Sequence, residues 1–324
     1  MQASKPDFFI VGAPKAATSA LWAHLRAHPQ IFMPELKEPQ FFGFDQEHLG
    51  HARRTLQEYL GLFGPAGGAE RVGEASTNYL HSRTAAAEIA AFQPNASIVV
   101  MLRDPVAIMH AYHETQVAWG FEPIHDFAEA LEAEQDRRRG RRLPPRSGIR
   151  ENLYYRQVAD LPRHVRRYFD TFGRERVHVV LFDDWCADAA AVYRQVLSFL
   201  GVDPGFRPEL EPVNENRRVR SRRFHAFVLE PPPAISAAAR AVIPAAMRSR
   251  WRHLLLRAAT RTAPRIGLEP ELLWALRQEF APKIDELAAL VDRDLSAWHR
   301  LPASATSARS RPAVDPTLSP APSS

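Results

Sequence analysis

Short apolar runs alternate with stretches of helical periodicity along most of the chain. Phe8 to Val11 is an unbroken apolar run stopped by Gly12, Ala13 and Pro14, which predicts a short strand and a tight loop. From Thr18 onward Leu21, Trp22 and Leu25 recur at helical spacing, with Thr18 or Ser19 as candidate caps. A second short strand is predicted over 71–77 and a helix over 84–92. The strongest strand signal is "SIVVMLRD", 97–104, whose near-continuous apolar character predicts a central parallel strand covered on both faces. Pro105 then opens a helix running through Ala118. Helices over 124–138 and 152–172, a strand over 177–185 and a helix capped by Asp188 and reaching Leu200 complete the pattern. Alternation of this kind predicts an α/β fold, a mostly parallel sheet flanked by helices.

The 324 residues, 45% apolar, suffice for one large core, so a single domain over 1–300 is expected. Residues 231–265 are rich in Pro, Ala and Arg and read as a variable helical insertion or lid, and the Ser/Pro/Ala tail at 301–324 reads as disordered. The chain contains no run of 18 apolar residues and shows no basic-then-apolar leader pattern, which predicts a cytoplasmic protein without a transmembrane segment. A single cysteine, Cys186, excludes an internal disulfide or a cysteine-rich metal site. Asp183 and Asp184 have no companion cluster of ligands, so no metal is expected. The charge balance, 42 Lys and Arg against 37 Asp and Glu, suits a polyanionic ligand. No helix-turn-helix, zinc-finger or RNP pattern accompanies it, so no specific nucleic-acid partner is expected.

Lys15 lies between the first strand and the first helix, in the small-residue loop "GAPKAATS". A lysine there, feeding a helix N-terminus, suits an anion: the free N–H groups and the positive dipole end face it, and the lysine adds a full charge. An ordinary strand-to-helix turn with a surface lysine is the other reading of the loop alone. The spacing is not that of a Walker A loop, in which lysine directly precedes the Ser/Thr. Arg103 stands just past the strongest strand, at the sheet edge where open α/β sheets bind ligands.

Taken together, several motifs resemble the sulfotransferases that use 3′-phosphoadenosine-5′-phosphosulfate (PAPS), bacterial members and glycan sulfotransferase domains among them. "PKAATSAL" is similar to their 5′-phosphosulfate loop, "HP…P..KEP.FF" (28–42) to the segment after the first helix, and "LRDPVAIMHAYH" to the 3′-phosphate motif. "RYFDTFGRERVHVVLFDDW…YRQVLSFLGV" resembles their late strand–helix unit. The resemblance covers roughly residues 6–300 and implies a P-loop-kinase-like fold. It implies that Lys15, Ala16, Ala17, Thr18 and Ser19 hold the 5′-phosphate side of the donor, with Lys15 also catalytic. Glu38 would be the general base on an acceptor hydroxyl. Arg103 and the late basic loop, through Arg217, Arg218 and Arg220, would hold the 3′-phosphate. The resemblance matches Gly73 and Glu74 to a pair brought to the same sheet edge, where Glu74 either meets the acceptor or holds a neighbouring backbone or basic group; Lys37, Tyr79 and His113 are further acceptor-side candidates, His113 equally a core residue. The implied reaction moves a sulfonyl group from PAPS, leaving 3′-phosphoadenosine-5′-phosphate (PAP), to a hydroxyl or amine of a glycan, lipid or small molecule, without a metal.

One position departs from the pattern. The family places a serine eight residues after the arginine, and here Ala111 stands there. A missing hydroxyl–phosphate hydrogen bond weakens donor binding by about 1.5–3 kcal/mol unless another group replaces it. Two rival readings therefore accompany the first: a P-loop-type nucleotide kinase, and a non-catalytic descendant that binds a nucleotide or polyanion.

Overall fold

The computed structural model describes residues 4–46, 54–144, 148–208 and 267–300, together with the backbone of two strands at 217–219 and 260–262. The first strand, β1 (Phe8–Gly12), is buried along its whole length and occupies the middle of a five-stranded sheet. On one side it pairs with β3 (Arg71–Ala75), which pairs in turn with the short β2 (Ile31–Phe32). On the other side lie β4 (Ser97–Leu102) and then β5 (Val177–Leu181), giving the order β2-β3-β1-β4-β5. Every pairing is parallel. A parallel sheet needs crossovers, and the connecting helices cover its faces. The expected α/β fold is the one observed.

The helices follow the periodicity closely. They are α1 (Thr18–Arg26), α2 (Leu56–Gly61), α3 (Ala85–Phe92), α4 (Pro105–Trp119) and α5 (Phe127–Arg138). Asp104 caps α4 by accepting from Val106 N at 2.9 Å and Ala107 N at 3.3 Å, with Pro105 at the first helical position. Asp126 caps α5, and Asp188 caps α9 (Ala189–Leu200).

Two of the predicted elements differ in extent. The apolar positions over 152–172 predict one helix; the structure has a short 3-10 turn, then α6 (Tyr155–Val158) and α7 (Leu161–Phe172). Pro162 in the first turn of α7 explains the break, because proline has no N–H to continue a helix and restricts the residue before it. The strand predicted over 177–185 ends at Leu181, and Phe182–Ala187 forms α8. An apolar run cannot by itself separate a strand from a buried helical turn. Asp183 and Asp184 fall in the first turn of α8, where they complement the helix dipole. Among the described residues no group of three or more metal-ligating side chains occurs.

β6 (Arg217–Val219) and β7 (Thr260–Thr262) form a separate antiparallel pair. Of the predicted insertion at 231–265, only 260–262 is described, and it is strand. The tail at 301–324 lies outside the described residues. The chain divides after Arg265 into two compact units. The second contains α10 (Pro270–Val291), whose buried residues Leu273, Leu276, Phe280, Ile284 and Leu287 recur at helical spacing. No described helix is long and apolar enough to cross a membrane.

Candidate active site

The carboxyl ends of β1, β3 and β4 bring together the segments that carry most of the predicted site. β1 ends at Gly12, whose φ of +147° is open to glycine and which has no room for a side chain: a Cβ there would lie 2.7 Å from Leu80 Cβ and 2.9 Å from the Thr77 carbonyl. The chain then turns through Lys15 (φ 64°) and Ala17 (φ 67°), both left-handed, and enters α1. Two non-glycine residues held in that region within one loop indicate a backbone conformation imposed by its surroundings.

Ala17 occupies the cap position of α1, and no side chain caps the helix. Thr18 is the first helical residue, so neither Thr18 nor Ser19 is the expected cap. The first N–H groups of a helix have no intrahelical partner, and among the described residues no cap side chain takes them. Ala16 and Thr18 are buried, while Lys15, Ala17 and Ser19 are partly exposed. An uncapped helix start beside a lysine and two alanines fits an anionic group approaching the backbone closely.

Arg103 leaves the end of β4 and reaches this loop. Its Nη1 donates to the Lys15 carbonyl at 2.9 Å, and its guanidinium lies over the Phe182 ring at 4.3 Å. Arg103 thus braces the loop, a role the sequence pattern did not contain. Ala111, on α4, is buried. A nearby hydroxyl on that helix, Thr115 Oγ1, donates back to the Ala111 carbonyl at 2.9 Å. The backbone of β6 runs alongside α4, which places positions 217 and 218 beside this helix. Arg220 lies outside the described residues.

Glu38 belongs to the loop after β2 and has φ 60°. Its backbone N–H donates to the Ala75 carbonyl at 2.9 Å, so the loop is hung from the end of β3. Its carboxylate accepts from Thr77 N at 2.8 Å through Oε2 and from Thr77 Oγ1 at 3.1 Å through Oε1. The Lys37 ammonium is ion-paired to Oε1. A carboxylate oxygen has two acceptor directions, and Thr77 N occupies one of those on Oε2. Thr77, which orients Glu38, went unnoticed in the sequence because nothing in periodicity or charge marks it.

Three residues expected on the acceptor side are interior. Glu74 has no exposed surface; its carboxyl receives the Tyr59 hydroxyl and, at 2.7 Å, the Ser76 hydroxyl. Tyr79 is buried too, its hydroxyl accepting from Phe41 N at 2.9 Å and Phe42 N at 3.3 Å. His113 is buried against Phe127 and Tyr155 and bonds the Ile124 carbonyl at 2.8 Å. Glu74 lies on a strand whose last four residues are all buried, so both faces of the strand are covered there and the structural alternative for Glu74 is the one its contacts describe. Only Lys37 of the predicted acceptor group is accessible. The Ser76 hydroxyl also accepts from Gln40 N at 3.1 Å, so Glu74 supports two hydroxyls, Ser76 and Tyr79, that pin the loop carrying Glu38.

Burial raises the Glu74 pKa to about 7 from an ordinary 4.5; the three hydroxyl hydrogen bonds oppose this and the Glu38 charge adds to it. The folded protein therefore keeps a proton that the unfolded chain has released between pH 4.5 and about 7. This contribution is fully present below pH 4.5 and is lost as pH rises through 7, by about 3 kcal/mol in all. Glu74→Gln keeps the shape without the titration. Denaturant melts should show the variant gaining on the natural protein as pH rises from 5 to 8; a constant difference would remove Glu74 as the titrating group.

The arrangement can be compared with known proteins. The chain belongs to the sulfotransferase domain family, whose profile matches residues 5–225. A sulfotransferase from Alicyclobacillus acidocaldarius, solved by crystallography, is 30% identical with a TM-score of 0.68, over 92% of this chain and 100% of that one. A bifunctional heparan sulfate N-deacetylase/N-sulfotransferase 4 from Mus musculus is 27% identical over 216 residues, 62% of this chain and 23% of the relative. Carbohydrate sulfotransferase 15 from Homo sapiens is 30% identical over 147 residues, 33% of this chain and 26% of the relative. The chain thus spans about a quarter of the length of these two mammalian relatives.

Proposed function

We propose that this protein is a PAPS-dependent sulfotransferase acting on an acceptor hydroxyl or amine. The observation that carries the reading is the presence, at one sheet edge, of a helix start without a side-chain cap, Lys15, and a partly exposed carboxylate, Glu38, held by Thr77. Bound PAPS would supply the sulfonyl group and a phosphate as leaving group. The N–H groups of residues 16–19 and the α1 dipole would hold the 5′-phosphate, and Lys15 would neutralise charge developing on the leaving oxygen. Glu38 Oε2 would take the acceptor proton as the acceptor oxygen forms its bond to sulfur and the sulfur–phosphate oxygen bond breaks. Arg103, with Arg217 and Arg218 near α4, would face the 3′-phosphate. The names of the mammalian relatives favour a glycan acceptor over a lipid or other small molecule.

Calorimetric titration with PAP, with AMP and with ATP tests the donor side. Expected is micromolar PAP binding that depends on the 3′-phosphate and weakens at least about tenfold in Arg103→Ala. A preference for ATP with Mg²⁺ would instead favour the kinase reading. PAP binding without transfer to any acceptor would favour the non-catalytic one.

A further inference from the structure

Away from the α1 loop, the turn after β3, the end of α5, the segment leading into α6, and α7 enclose a cavity of about 310 Å³. Four arginines line it: Arg83, Arg138, Arg163 and Arg167. Glu151 is the one carboxylate among the described lining residues. Asp45 pairs with Arg83 at 3.3 Å but is already engaged by the Ser82 hydroxyl, the Thr84 hydroxyl and the Arg83 N–H. Arg138 lies over the Tyr154 ring at 4.9 Å, and Arg163 has no partner among the described residues. Arg167 is half-buried; its Nη1 donates to the Ser82 carbonyl at 2.7 Å and the Leu80 carbonyl at 3.3 Å, leaving its other N–H groups over.

The remaining lining adds no negative charge. His81 and His164 are buried and neutral at pH 7, their pKa values lowered by burial to about 4 and about 3. The Nδ1 of each has no hydrogen-bond partner among the described residues. Burial also pushes the Arg167 pKa down; the like charges of Arg163 and Arg83 push the same way, and Tyr168 and the Asp45 carboxylate oppose them. Gathering guanidinium groups at one cavity is electrostatically unfavourable unless an anion completes it, and guanidinium forks match tetrahedral oxyanions. The volume is at the lower end of small-molecule sites, about 300–1,000 Å³, larger than a bare ion requires.

We propose that this cavity is a second anion site, binding a phosphate or sulfate group that is free or carried as a monoester on a small molecule. None of its lining residues belongs to the donor loop or to the Glu38 segment.

The test follows the imidazole resonances of His81 and His164 by NMR at pH 7 and constant ionic strength. Inorganic phosphate is the first probe and glucose 6-phosphate the second. Saturable shifts of both histidines are expected, equally in the natural protein and in Lys15→Ala, which separates this site from the α1 loop. Arg163→Glu and Arg138→Glu alter exposed side chains, and each should weaken binding at least about tenfold with the far-ultraviolet circular dichroism unchanged. Tighter binding of glucose 6-phosphate would show that the group arrives on a larger molecule; equal affinity would identify the free ion. No saturable shift with either probe, or shifts unaltered in both arginine variants, would overturn the proposal.

Discussion

Lys15→Ala is expected to lower turnover by about 10²–10³-fold, the cost of removing one preorganised charge partner from a developing oxyanion. The loop itself should survive the change. Residue 15 sits at φ 64°, which is equally unfavourable for lysine and alanine, and the loop is held through its backbone by Arg103 and by the end of β1. PAP affinity should fall much less than turnover, because the loop N–H groups and the helix dipole remain. Single-turnover rates with saturating donor, beside a thermal melt, make the comparison. Turnover within a fewfold of the natural enzyme would show that Lys15 does not stabilise the leaving group.

For Glu38→Gln the expected loss is about 10²–10⁴-fold in turnover, the usual contribution of a positioned general base. Glutamine keeps the side-chain length, and its carbonyl can still accept from Thr77 N. PAP binding should be retained, because the contacts of Glu38 run to Thr77, Lys37 and Ala75 and not to the α1 loop. Turnover measured beside PAP affinity is the discriminating readout: the first should fall while the second holds. A variant with normal turnover would remove Glu38 from the base role.

These two experiments probe the two ends of the proposed transfer, and both residues depend on backbone placement. Lys15, Ala17, Glu38 and Gln40 all have positive φ without being glycine. The loop at 38–42 is pinned by Ser76 and Tyr79, whose hydroxyls are supported by Glu74. Glu74 thus acts beneath the surface, as a support for the segment that presents Glu38. Its neighbour two residues on, Ser76, and the next, Thr77, divide the work: one holds the loop backbone, the other the carboxylate.

Local sequence determined the order of strands and helices, because burial of a continuous run or of one helical stripe is a property of neighbouring residues. It also marked Lys15, Arg103 and Glu38, whose charges stand out against small or apolar surroundings, and the helix starts at Pro105 and Asp188. The tertiary structure decided what depends on distant residues meeting. Glu74 is enclosed because Tyr59, from an excursion after β2, closes over it, and Tyr79 because Phe42 packs against its ring. His113 turns inward because Phe127 and Tyr155 arrive from other helices. The arginines at 83, 138, 163 and 167 are scattered along the chain and become one cationic cavity only when α5, α6 and α7 pack around the turn after β3. Spacing along a chain reports which face of its own element a side chain takes, but the partner that covers or charges that face is chosen by the fold.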